Sequence, residues 1–133
     1  MTLRKTGGLA LVALALALML AGCRTVLNYE TSYKLDPGDE RDSKVDAIGK
    51  DQKIKVEVSA TGGSVDVYVY LEKDKDAVQP AIRFKKASDA ILAKAHDTQS
   101  ATLEATIPAG NAAVVLVRNS SKTAAEVKVK LTN

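Results

Sequence analysis

Ile54-Lys55-Val56-Glu57-Val58-Ser59, then Gly62-Gly63, then Val65-Asp66-Val67-Tyr68-Val69-Tyr70-Leu71, is the most strongly patterned stretch of the chain. Ile54, Val56 and Val58 alternate with Lys55, Glu57 and Ser59. Val65, Val67, Val69 and Leu71 alternate with Asp66, Tyr68 and Tyr70. A period of two puts one set of side chains on each face of a pleated strand. Two such runs joined by a short glycine-containing connection predict a β-hairpin at the centre of the fold.

The same period extends outward in both directions. Toward the C-terminus, Ala101, Leu103, Ala105 and Ile107 alternate with polar residues, Pro108-Ala109-Gly110-Asn111 turns the chain, and Ala113 to Val117 runs almost continuously apolar. Such a run suits a strand buried on both faces. Asn119-Ser120-Ser121-Lys122 turns again before Ala125, Val127, Val129 and Leu131. Toward the N-terminus, Tyr29, Thr31, Tyr33 and Leu35 share one parity, Asp36-Pro37-Gly38-Asp39 has turn chemistry, and Lys44 to Ile48 reads as a short strand. The charges and proline of Glu72 to Pro80 predict an exposed loop. Ala81 to Ala95 supports two readings. Phe84, Ala87, Ile91 and Ala95 fit one helical face, whereas Ile82 with Phe84 and the run Ala90 to Ala95 fit short strands, the reading favoured by the strands around them. The sum is an all-β domain over residues 29–133, an antiparallel β-sandwich of seven to eight strands.

Ahead of it lie a basic start, Met1 to Lys5, and thirteen consecutive Ala, Leu, Val or Met residues from Leu9 to Ala21. That is the layout of a cleaved signal helix. A span needs about 20 apolar residues, so this one is too short to be a membrane anchor. Leu20-Ala21-Gly22-Cys23 resembles a bacterial lipobox. The resemblance implies cleavage between Gly22 and Cys23, removal of residues 1–22, and acyl chains on the Cys23 sulfur that hold the protein to a membrane. Two or more chains hold a protein stably where one does not. Residues 23–28 then form a tether that reaches at most about 20 Å. Arg24 stands where an aspartate would favour inner-membrane retention, which points to the outer membrane facing the periplasm.

Without residues 1–22 the remaining 111 residues carry 17 basic and 16 acidic side chains, interspersed along the strands. This is no nucleic-acid stripe. Cys23 is the sole cysteine, so no disulfide framework is available and stability rests on apolar packing. His96 is the sole histidine and sits beside Asp97, which reads as a solvated turn residue more than as a catalytic base. No nucleophile elbow or phosphate loop accompanies it, and no cofactor is expected. Asp36, Asp39, Glu40 and Asp42 are the best-placed cation ligands, although their spacing departs from an EF-hand loop and Arg41 interrupts them. Tyr68 and Tyr70, on the face opposite Val67 and Val69, form a possible binding face, or else pack beneath residues 72–80.

The order of these segments resembles small bacterial β-sandwich modules, the pre-peptidase C-terminal domains and the Golgi-dynamics-type sandwiches. The residues concerned are Ile54 to Ser59, Gly63 to Tyr70, Ile107 to Asn111, Val114 to Asn119 and Val127 to Leu131. The resemblance covers residues 43–132 and implies a non-catalytic module. The expected function is a lipid-anchored, non-enzymatic envelope lipoprotein that binds an envelope protein or a surface polymer. The alternative is a small envelope enzyme, or an accessory subunit of an envelope hydrolase, working with carboxylates alone.

Overall fold

A computed structural model describes residues 26–133; the signal segment, Gly22 and Cys23 lie outside the described residues. Among the described residues, eight strands form two four-stranded antiparallel sheets, with one short α-helix. In chain order these are β1 (Asn28–Leu35), β2 (Glu40–Val45), β3 (Gln52–Thr61), β4 (Val65–Leu71), a 3₁₀ turn (Glu72–Asp74), α1 (Lys75–Arg83), β5 (Ile91–Thr98), β6 (Ser100–Ile107), β7 (Ala113–Asn119) and β8 (Ala125–Thr132). One sheet has the order β1-β8-β3-β6 and the other β2-β7-β4-β5, so the expected all-β sandwich is what the chain forms. Of the strands adjacent in sequence, only β4 and β5 are paired; every other connection passes from one sheet to the other, as in a jelly roll.

The hairpin expected across Gly62-Gly63 is therefore absent. β3 pairs with β6 and β8, and β4 with β5 and β7. The two glycines instead carry the chain over the end of the sandwich, against the turn between β7 and β8. Gly62 has φ +87°, and a Cβ on it would stand 2.8 Å from the Ala124 carbonyl oxygen; one on Gly63 would stand 2.8 Å from that of Thr123. Close backbone approach, more than hairpin geometry, requires glycine here.

The inter-sheet core is aliphatic. Ile54, Val56 and Val58 of β3 meet Val65, Val67 and Val69 of β4, with Val115 and Val117 of β7 and Val127 and Val129 of β8 among them. The outer face of the β1-β8-β3-β6 sheet stays polar, with Lys128 2.8 Å from Glu30 and Lys55 3.3 Å from Glu57. All these side chains are about half exposed, and such pairs add little stability. The other sheet is covered on its outer face too. A second apolar layer of Tyr68, Tyr70, Val114 and Leu116 packs beneath Val78 and Ile82 of α1, so β4 is buried along its whole length.

Here residues 72–95 depart from expectation. The predicted exposed loop is helical, α1 contains Pro80, and the strand resumes at Ile91 in place of Ala90. Val78, Ala81 and Ile82, spaced i, i+3 and i+4, give α1 its buried stripe. Pro80 removes only the bond to the carbonyl four residues earlier, that of Asp76 in the first, exposed turn. β2 begins at Glu40 instead of Lys44. It is an edge strand of mostly charged residues, and its register comes from β7, from Glu40 opposite Arg118 to Val45 opposite Ala113.

Candidate functional site: a basic cleft over one sheet

The C-terminal end of α1 shapes the site. Lys86 N–H donates to Ala81 O at 2.8 Å and Lys85 N–H to Ile82 O at 3.3 Å, closing the helix in a Schellman arrangement with Lys85 at φ 54°. Residues 84–90 then return the chain to β5. Between this segment, β5 and the ends of β4 and β7 lies an open depression of ≈ 840 Å³. Tyr68, Ile82 and Ile91 contribute to its floor, and Arg83, Lys85, Lys86, Lys94 and Arg118 supply five cationic groups.

Two carboxylates belong to the same cleft. Asp66, 9 % exposed, accepts the Asp97 backbone N–H at 2.7 Å and the Ser120 hydroxyl at 3.2 Å, both on Oδ1. Asp97 accepts a short hydrogen bond from the Ser64 hydroxyl. The pairing of β4 with β5 slips by one residue here, Val65 facing Thr98 and Val67 facing Ala95, and Asp97 takes φ 48° in the resulting bulge. Lys85 and Asp97 are the two non-glycine residues with positive φ among the described residues, and both line the cleft. Residues held in that region cost stability and cluster at functional sites.

His96 lies on β5, not in a turn. Its Nδ1 is 3.4 Å from the Tyr68 hydroxyl and 3.8 Å from Asp66 Oδ1, and its ring meets Tyr68 edge-on with centroids 5.4 Å apart. The His96 side chain is 54 % exposed. The half-exposed imidazole can hydrogen-bond a ligand. Asp66, already accepting two hydrogen bonds that hold the bulge and the β7–β8 turn, acts first as a structural acceptor.

Of the two readings of Tyr68 and Tyr70, packing beneath residues 72–80 is the one the fold follows, for both lie in the layer under Val78 and Ile82, with Tyr68 also lining the cleft. Tyr70 is fully buried under α1, and Tyr68 is 4 % exposed. Burial pushes both phenols above their usual pKa, helped by Asp66 at Tyr68 and by Asp42 and Glu40 at Tyr70. Gln79 opposes the rise at Tyr70 without closing a hydrogen bond, and the Tyr70 hydroxyl is left unpaired. Asp36 and Asp39 sit in the β1–β2 turn, while Glu40 and Asp42 lie along β2. Among the described residues no group of three or more His, Cys, Asp or Glu is placed to hold a metal ion.

Sequence reasoning missed Asn119. Only 1 % exposed, it donates through Nδ2 to the carbonyls of Leu35 (2.9 Å) and Thr123 (2.8 Å) and accepts from the Ser121 N–H (2.9 Å) and hydroxyl (2.7 Å). Its backbone N–H and carbonyl pair with Asp39 and Gly38. One amide thus joins the two turns that border the cleft. An asparagine ending an apolar strand was the available signal, but it reads equally as turn chemistry.

The fold and cleft define a jelly-roll β-sandwich module. No family model matches the chain, and no curated protein matches it. Among solved structures, it is similar to the pre-peptidase C-terminal domain of a collagenase from Bacillus anthracis: TM-score 0.57, 11 % identity, 79 % of this chain and 89 % of that one covered. It is also similar to the Yersinia pseudotuberculosis-derived mitogen, with TM-score 0.50, 7 % identity, and 81 % and 86 % coverage. At such identities the likeness is one of fold, and the sandwich resemblance read from the strand order stands at that level.

Proposed function

We propose that this protein is a lipid-anchored, non-enzymatic module of the bacterial cell envelope that offers its cleft to a partner on the side away from the membrane. Leu20 to Cys23 supports the anchor, and Arg24 supports the outer membrane, facing the periplasm. The observation that carries the reading is the position of the cleft. β1 starts at Asn28, paired with Thr132, and ends at Leu35, paired with Ala125. Gly38, Asn119, Ser120 and Ser121 of the cleft gather at that second end, a strand length of about 25 Å from the first. A tether over residues 23–28 shorter than about 20 Å brings the first end to the headgroups and leaves the Asn119 end of the cleft away from them, the cleft running from there along the outer face of the sheet toward Ile91.

The rival reading, a small hydrolase, has less support, because Asp66 and Asp97 are both engaged in holding the bulge. Cell fractionation and lipid labelling of wild type beside Cys23→Ser test the anchor, with loss of label and release from membranes expected; equal labelling overturns it. For the cleft, a photo-crosslinking amino acid replacing Lys86 is expected to capture a partner in cells. The same residue replacing Lys55 on the opposite sheet is not. Equal capture at both positions overturns the reading.

A further inference from the structure

Resting on that reading, we infer that the cleft takes an anionic saccharide, a segment of sugar rings bearing carboxylate or phosphate groups. Charge is the first reason. The described chain mixes its charges almost evenly elsewhere, yet this one depression collects Arg83, Lys85, Lys86, Lys94 and Arg118 against two carboxylates. The guanidinium groups can each take a carboxylate or phosphate through two parallel hydrogen bonds, and the lysines add adjustable point charges.

A carboxylate in the cleft is the second reason, because it selects among anions. Asp97 is exposed in the cleft, and a carboxylate offers about four lone-pair sites, of which the contact to Ser64 uses only some, whereas Asp66 is 9 % exposed and already accepts from Asp97 and Ser120. The remaining capacity of Asp97 suits a ligand that brings hydroxyl donors together with its negative charge. A sugar acid or sugar phosphate does so. An oligoglutamate brings the same negative charge without hydroxyl donors to meet those acceptor sites. The half-exposed imidazole of His96, held edge-on by Tyr68, adds a ring and a hydrogen-bonding nitrogen. The volume, ≈ 840 Å³, lies within the range of small-ligand sites, which run to about 1,000 Å³.

Third, the lysine at φ 54° places its backbone in the left-handed position that glycine usually takes when a helix closes this way. Lys85 keeps a charge at the cleft at a cost in backbone energy, as ligand-binding positions do.

The test is calorimetric titration of the full chain in non-ionic detergent at low salt. The probes are an oligogalacturonate, a phosphorylated mannan oligosaccharide, neutral maltohexaose and an oligoglutamate. Saturable one-to-one binding of a charged saccharide, without binding of maltohexaose or oligoglutamate, is expected. Whichever charged saccharide binds more tightly distinguishes a carboxylate from a phosphate ligand. Lys86→Glu/Lys94→Glu is expected to weaken binding by at least about tenfold, through loss of two charge-assisted contacts. Lys53→Glu/Lys55→Glu, the same charge change on the opposite sheet, is expected to weaken it by less than about twofold. Thermal melts check that both variants fold. Equal losses in the two variants, or oligoglutamate binding as tightly as the saccharides, overturn the inference. If the Lys86 crosslinker captures a protein while no saccharide binds, the inference falls and the outward-facing binding module stands. If neither is seen, both fall.

Discussion

Asp66 accepts the backbone N–H of Asp97 at 2.7 Å, across the bulge at which β4 and β5 lose register. One side chain thereby pairs a backbone group that the slipped ladder cannot, and with Ser120 it ties β5 to the start of the β7–β8 turn. Asp66→Ala is expected to lower stability by about 1–3 kcal/mol in urea titration, since an N–H loses its acceptor. Asp66→Asn, which keeps an acceptor oxygen, should lose less than half of that. Equal loss in the two variants means the pairing contributes nothing.

Asn119 provides a sharper case, because it both donates and accepts. Asn119→Asp keeps the shape and the bonds from Ser121, but it turns an oxygen toward the carbonyls of Leu35 and Thr123. A loss on the order of 3 kcal/mol is expected, from two unpaired carbonyls and a buried charge. A chemical melt within 0.5 kcal/mol of wild type, as is usual for surface changes, contradicts this assignment.

The Tyr70 hydroxyl is buried and unpaired, so removing it relieves a desolvated polar atom. Tyr70→Phe is expected to hold or raise stability by about 1 kcal/mol. Tyr70→Ala empties the layer under α1 and is expected to cost about 3–5 kcal/mol. A clear loss in the phenylalanine variant would reveal a partner for the hydroxyl.

Tyr33 links stability to alkaline pH. Burial pushes its phenol up to about 12, outweighing Arg41, whose guanidinium lies 4.8 Å over the ring. In the unfolded chain the phenol ionises near pH 10, so its contribution is complete below pH 10 and is lost as pH rises toward 12. Tyr68 and Tyr70 act in the same direction. Tyr33→Phe should therefore soften the fall in denaturation midpoint between pH 10 and pH 12 without abolishing it. Superimposable pH profiles for wild type and variant count against burial of this group.

Gly63 and Gly49 separate close approach from simple flexibility. A Cβ at Gly63 meets the Thr123 carbonyl oxygen at 2.8 Å, whereas at Gly49 it meets nothing within 4 Å. Gly63→Ala is expected to cost about 1–3 kcal/mol through overpacking. Gly49→Ala should be neutral or stabilise by about 0.4–1 kcal/mol, through the unfolded chain. Thermal melts that rank the two the other way reject the packed corner.

The strands could be read directly, because each is a local pattern: Ile54, Val56 and Val58 on one parity, Ala113 to Val117 apolar throughout. Residues 75–83 could not, because Lys75-Asp76 and Pro80 carry loop chemistry while only Val78, Ala81 and Ile82 carry the helical stripe. That stripe has meaning only against a sheet face that needs covering. The outward tyrosines of β4 posed the same question from the other side: alternation places Tyr68 and Tyr70 opposite the valines, but does not say whether solvent or α1 lies there.

From sequence alone came the period of two, the apolar core positions, the turns and the sandwich class. The lipobox-like tetrapeptide came the same way. Tertiary structure settled which strand pairs with which, turning the expected hairpin into a crossover, and it assembled the cleft. Arg83, Lys94 and Arg118 converge there from α1, β5 and β7, and Asn119 reaches Leu35 across 84 positions. Strand periodicity depends on neighbours two residues apart, whereas pairing and clefts depend on long-range register between sheets, which a local pattern does not encode.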